Sequence, residues 1–192
     1  ADGYLYLGNM YETLKRFDEA EAVLRQGLKM APGHQRLHFR LGVVLDKMGD
    51  RDNSIVEMEK VIALDPKDAN ALNYLGYSLA EMGVRLEEAE DFVKRALQIK
   101  PEDGYITDSL GWVYFKMGRH REALVWIQKA LDRLPEDPLI TEHLGDTYQA
   151  LGRWREAQEA YERALRLGHE NPEQLESKLE ESKKKAKIEG TQ

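Results

Sequence analysis

Residues 104–137 read GYITDSLGWVYFKMGRHREALVWIQKALDRLPED, and the spacing inside this stretch decides the fold. Leu110-Gly111 and Tyr114 lie before Gly118; Ala123, Ile127, Ala130 and Pro135 follow it. Apolar positions recur three and four apart on both sides of that glycine, which predicts two helices joined by a short turn. Gly118 suits the left-handed backbone just past a helix C-terminus, and Pro135 stops the second helix. Asp103 and Asp137 stand where the N-caps of this unit and of the next belong. No alternating strand pattern competes, so the chain reads as all-α.

Working outward, the same frame recurs. Leu-Gly appears at Leu7-Gly8, Leu41-Gly42, Leu75-Gly76, Leu110-Gly111 and Leu144-Gly145, at spacings of 34, 34, 35 and 34. Pro32, Pro66, Pro101 and Pro135 keep the register, as do Gly49, Gly83, Gly118 and Gly152. The first block departs from the glycine series, with Lys15 at that place. A period in this range signals a stacked array in which each unit buries its apolar face only against its neighbours. The predicted units are 1–34, 35–68, 69–103, 104–137 and 138–171, with 172–192 as a separate terminal element.

Antiparallel helices approach closely only where small residues cross. Gly111 is matched by Ala123 and Ala130, Gly145 by Ala157 and Ala164, Gly76 by Ala89 and Ala96, and Gly8 by Ala20 and Gly27. The second block has Ser54 and Val61 instead, which predicts a slightly wider or differently angled contact between the second and third repeats.

This set of residues resembles the tetratricopeptide repeat family: Leu110, Gly111, Tyr114, Ala123, Ile127, Ala130 and Pro135 in the fourth block, and Leu144, Gly145, Tyr148, Ala157, Tyr161 and Ala164 in the fifth. The stretch GYITDSLGWVYFKMGRHREAL, followed by HLGDTYQALGRWREA, is similar to bacterial members. The resemblance implies a right-handed α-solenoid of five helix-turn-helix repeats whose first helices line a concave groove that binds a peptide or protein segment. The family's groove offsets fall on Tyr6, Asn9, Arg36, Phe39, Arg40, Asn73, Tyr74, Tyr77, Tyr105, Asp108, Trp112, Phe115, Glu142, His143 and Asp146. Tyr74, Tyr77, Tyr105, Trp112 and Phe115 are expected to form one aromatic patch, because rigid aromatics supply contact area at low entropic cost. The groove is expected to run from basic, at Arg36 and Arg40, to acidic, at Asp108, Glu142 and Asp146. Trp126 and Trp154 are expected to pack on the convex side.

Composition narrows the partner. There is no cysteine, hence no thiolate metal site, cysteine nucleophile or disulfide framework. With 28 Lys+Arg against 35 Asp+Glu the net charge is −7, which opposes the phosphate attraction of nucleic-acid binding and separates the chain from basic pentatricopeptide arrays. No apolar run is long enough for a membrane span, and the start ADGYLYLGNMYE carries no signal-peptide pattern.

Some members of the resembled family hold a partner's terminal carboxylate with Lys, Asn, Asn, Lys and Arg. The matching positions here are Leu5, Asn9, Arg40, Asn70 and Tyr74, one match in five, so that ligand is not expected. His34 and His38 are four apart, but His34 falls in a turn beside Pro32-Gly33 and no acidic ligand is fixed nearby. Glu142-His143 lacks the remainder of a zinc-protease motif, and no phosphate loop or nucleophile elbow appears. No enzyme, metal or cofactor is expected of this chain, although such arrays are often fused to enzymes.

Asn171-Pro172-Glu173 opens a helix, and its apolar stripe is thin: Leu175, Leu179 and Ala186. It reads as a cap on the last repeat that frays after Lys183. The amino end has no polar terminal unit, as expected of the last part of a longer array or of a first helix that pairs with another copy. The reading is therefore a non-enzymatic interaction scaffold, with self-association through the amino-terminal repeat, or regulation of a larger protein, as alternatives.

Overall fold

The computed structural model describes residues 1–189; residues 190–192, the end of the expected cap, lie outside the described residues. Among the described residues there are eleven helices and no strand. Five pairs follow one another: α1 (Asp2–Thr13) with α2 (Phe17–Met30), α3 (Gln35–Lys47) with α4 (Arg51–Leu64), α5 (Ala69–Met82) with α6 (Leu86–Ile99), α7 (Gly104–Lys116) with α8 (His120–Arg133), and α9 (Pro138–Ala150) with α10 (Trp154–Arg166). A single helix, α11 (Pro172–Glu189), ends the array. It is helical through Glu189, past Lys183 where the thin apolar stripe leads one to expect fraying.

Within each pair the helices pack together, and each second helix packs onto the first helix of the next pair. First helices also touch across pairs, α1 with α3, α5 with α7 and α7 with α9, so one surface of the array is built from first helices alone. The core is accordingly a chain of clusters. One spans Met58 to Ile140, one joins Leu5 and Leu24 to Leu41 and Leu45, and one seats Leu175 and Leu179 of α11 against Ala157, Tyr161 and Ala164.

Local chemistry explains the joints. Asp68 accepts from the amides of Asn70 and Ala71 at 2.9 and 3.0 Å, Asp103 from Tyr105 and Ile106 at 3.0 and 3.1 Å, and Asp137 from Ile140 at 3.0 Å. These carboxylates satisfy amides that a helix start leaves without an intrahelical partner. The left-handed turn persists where glycine does not: Lys15 takes φ +56°. The extra residue of the third unit is absorbed in its turn, where both Gly83 (φ +68°) and Arg85 (φ +51°) are left-handed.

The small-residue crossings are close. A Cβ on Gly111 would stand 2.6 Å from Ile127 Cγ1, 3.0 Å from the Ile127 amide nitrogen and 3.3 Å from the Ala123 carbonyl oxygen. At Gly42 the corresponding carbonyl, that of Ser54, also lies at 3.3 Å. Inside the second repeat the carbonyl approach equals that at Gly111: Ser54 is buried, and a hydroxymethyl group fits where the other repeats place alanine. The contact between the second and third repeats, where a wider or differently angled approach is expected, is the separate one of α4 with α5.

Candidate functional site

The surface lined by first helices carries the candidate residues, and its two halves differ in character. In the carboxyl half the side chains satisfy one another. Trp112 stacks on Phe115, with centroids 4.6 Å apart at 4°, and on His143, 4.0 Å apart at 14°. Its indole N–H donates to the Glu81 carboxylate, and Lys116 Nζ sits 5.1 Å from its ring centroid. Only 7% of Trp112 remains exposed. His143 Nδ1 meets Asp108 Oδ2 at 2.9 Å. Burial by itself lowers the His143 pKa, but the Asp108 carboxylate, backed by Asp146 and Glu142, raises it above the ordinary value.

The acidic end of the groove is closed from outside the repeats. Lys178 on α11 donates to Glu142 Oε1 at 2.7 Å and to the Asp146 carboxylate oxygens at 2.8 and 2.7 Å. His169 Nε2 lies 2.6 Å from Glu142 Oε2, and the Tyr161 hydroxyl donates to Asp146 Oδ1 at 2.8 Å. Burial would raise the Glu142 pKa, yet Lys178 and the neighbouring histidines hold it below the ordinary value. Burial likewise opposes the charge of Lys178, and Asp146 and Glu142 override it upward.

These contacts correct two expectations. Asp108, Glu142 and Asp146 do not form an open acidic end, because each is paired within the protein. The aromatic set does not form one open patch either. Trp112 is buried, Phe115 is half-buried against it, and Tyr74 donates its hydroxyl to Asp46 Oδ2 at 2.9 Å while meeting Phe39 edge-on at 6.0 Å. Burial, with nearby carboxylates, pushes the Tyr74 and Tyr77 phenols above their ordinary pKa. Tyr105, at the first turn of α7, is 59% exposed and stands apart from the stack.

The amino half is different. Between α1, α3 and the start of α5 lies a cleft of about 300 Å³, lined by Leu5, Asn9, Gln35, Arg36, Phe39, Arg40, Asp68 and Asn70. The structure thus brings Asn9, Arg36, Phe39 and Arg40 together, with Asn73 half-buried beside Tyr74 on α5. Arg36 is exposed and has no ion pair among the described residues. Arg40 Nη1 reaches Glu12 Oε2 at 3.2 Å, and Lys47 takes the other oxygen at 2.7 Å. Asn9 Oδ1 and Asn73 Oδ1 are buried without a hydrogen-bond partner. Tyr6, on the same helix as Asn9, is 71% exposed.

Groove offsets taken one repeat at a time miss Gln35, Asp68, Glu12 and Lys178. Gln35 and Asp68 were findable, since both stand at the starts of first helices beside Arg36 and Asn70. Lys178 carries no local signal. The paired histidines are also resolved: the His34 ring nitrogen accepts from the Leu37 amide at 3.3 Å, whereas His38 joins Glu57 at 2.5 Å and the Pro32 carbonyl at 2.7 Å. The two rings serve separate contacts. Trp126 lies partly buried against the core with Lys129 4.3 Å from its ring centroid, and Trp154 opens α10 with Lys185 at 6.0 Å.

A stack of paired helices with small residues at each crossing and one surface of first helices is a helical-repeat scaffold. The Tetratricopeptide repeat family model matches residues 3–170, and the chain belongs to that family. It is 32% identical over 115 residues to TPR repeat-containing protein PA4667 of Pseudomonas aeruginosa, covering 58% of this chain and 20% of that protein. It is 35% identical over 126 residues to Protein O-mannosyl-transferase Tmtc1 of Drosophila melanogaster, covering 63% of this chain and 15% of that protein. The solved structure of Pseudomonas aeruginosa PilF superposes with a TM-score of 0.75 at 25% identity, covering 99% of this chain and 88% of that one. The chain thus spans a fifth or less of the two curated relatives named here.

Proposed function

We propose that this chain holds an extended segment of a protein partner on its first-helix surface, centred on the cleft between α1, α3 and α5. Repeat arrays of this family serve as protein interaction scaffolds, because a stack of helix pairs presents a long surface with no chemistry of its own. The observation that carries the location is the contrast between halves. Trp112, His143, Glu142 and Asp146 are engaged by neighbours, whereas the cleft holds an unpaired Arg36 beside Phe39. The chain acts without catalysis: its buried titratable groups, His38 with Glu57, His143 with Asp108 and Glu142 with Lys178, tie helices together. Proteins similar to it take part in assemblies, as the name type IV pilus assembly protein PilF says of that relative.

The test is selection of a random-peptide display library on the protein, with hydrogen exchange used to locate the selected peptides. Protection of amides in α1, α3 and α5 is expected; protection confined to second helices defeats the proposal.

A second reading rests on α1. Leu7 is 39% exposed, while at the same place in later repeats Leu41, Leu75 and Leu110 are at most 1% exposed and Leu144 is half-buried. Met10 and Leu14 extend this open stripe. If a second copy covers it, light scattering shows a concentration-dependent dimer that Leu7→Glu abolishes; a monomer at every concentration removes this reading.

A further inference from the structure

We propose that the amino-terminal cleft selects an acidic segment, seating side-chain carboxylates of an extended peptide on Arg36 and Arg40. The proposal rests on the reading that the first-helix surface holds a partner segment, and it adds the chemistry of that segment.

Charge bookkeeping along the surface carries the argument. Three charged residues line the cleft: Arg36, Arg40 and Asp68. Asp68 is not open to a cationic ligand, since Oδ1 accepts the amides of Asn70 and Ala71 and Oδ2 accepts from Gln35 Nε2 at 2.8 Å. Just outside the lining, Glu12 is shared by Arg40 and Lys47, so two cations stand over one carboxylate. Arg36 has no ion pair among the described residues.

Apart from Asp2, exposed at the first turn of α1, the other carboxylates of the first helices repeat the pattern. Asp46 accepts the Tyr74 hydroxyl, with Arg51 at 3.9 Å; Glu81 accepts the Trp112 indole, with Lys116 at 3.5 Å. Asp108 faces His143, and Glu142 and Asp146 share Lys178. A basic segment laid on this surface therefore finds each of these carboxylates already partnered. An acidic one finds a free guanidinium, whose planar fork binds carboxylate through two parallel hydrogen bonds. The protein's −7 does not contradict this, because screening removes distant charge within about 8–10 Å at physiological salt.

The occupant is a side-chain carboxylate rather than a free chain end. The positions at which the resembled family places two lysines around a terminal carboxylate hold Leu5 and Asn70 here, the latter already accepting from Lys100 at 2.8 Å, so a chain end finds no ammonium of that set in the cleft. Phe39, half-buried on the cleft wall, supplies an apolar contact beside the two arginines, so the fitting motif pairs an acid with an apolar neighbour.

The experiment sequences the peptides selected on the wild-type protein, then measures fluorescence anisotropy with the best of them, acetylated and amidated so that no terminal charge remains. Enrichment of Asp and Glu is expected. Affinity should fall about tenfold when Arg36→Glu removes one charge-assisted contact, and similarly when the peptide's acids become amides. Raised salt should weaken the wild-type complex. Arg36 is exposed and unpaired, so the variant keeps the fold, which circular dichroism checks; Arg121→Glu, exposed on α8, controls for charge alone. Neutral or basic peptides that protect α1, α3 and α5 would overturn the acidic selectivity and leave the groove reading standing. So would full binding by the Arg36→Glu protein. Selected peptides that protect none of these helices would overturn the groove reading itself.

Discussion

Replacing Lys178 by methionine removes the one ammonium that two inner-surface carboxylates share, while keeping a side chain of similar length to pack α11. Lys178 lies 2.7 Å from both Glu142 and Asp146, whose side chains are 10% and 13% exposed. Removing one partner of a buried ion pair costs about 3–5 kcal/mol, because the remaining charge stays desolvated. Here the lysine is 26% exposed and His169 also faces Glu142, so water and imidazole recover part of the loss. The expected cost is about 2–3 kcal/mol, with a midpoint lowered by about 4–12 °C for a chain of this size. Urea and thermal unfolding followed by circular dichroism measure it. Adding Glu142→Gln and Asp146→Asn to Lys178→Met should restore at least half of the loss, since the orphaned charges go with them. A Lys178→Met protein within about 0.5 kcal/mol of wild type, or a triple variant no better than the single one, refutes the reasoning. The pH dependence has a definite sign. Glu142 has a folded pKa below its ordinary 4.5, so its contribution is present above that value and is lost as pH falls through the lowered one.

Lys15→Gly should stabilise the protein by about 1 kcal/mol, because a left-handed backbone at φ +56° strains any residue with a Cβ; urea titration reads the gain. Gly111→Ala should destabilise by about 1–3 kcal/mol, since the new methyl meets the Ile127 backbone nitrogen at 3.0 Å, and backbone cannot rotate aside as a side chain can. The His143–Asp108 pair predicts a pH effect of the opposite sign to Glu142. With its folded pKa raised above 6.5, the pair's contribution is complete below pH 6.5 and fades as pH rises through the raised value. The stability gap between wild type and Asp108→Asn, measured in urea, should therefore narrow from pH 6 towards alkaline pH.

The period of Leu-Gly, proline and turn glycine contains nearly the whole architecture, since a helix pair and its crossing are encoded within one unit of about 34 residues. The turn at Lys15 shows how strong that encoding is: the packing on either side of it imposes glycine's conformation on a lysine. The candidate site was legible only in part. Arg36, Phe39 and Arg40 line the cleft together, as the groove offsets of the resembled family imply, because their offsets on a single helix set their direction.

What one repeat cannot encode is whether a side chain that points inward is met there by another. Trp112 is covered by His143 of the following unit, and Glu142 and Asp146 are neutralised by a lysine 36 and 32 residues further on, in a helix outside the repeat pattern. Periodicity by itself determined the helix pairs, and the family resemblance it carries implied which helices line the groove; tertiary packing decided which part of that surface remains open, because charge and aromatic faces are satisfied across repeats rather than within them.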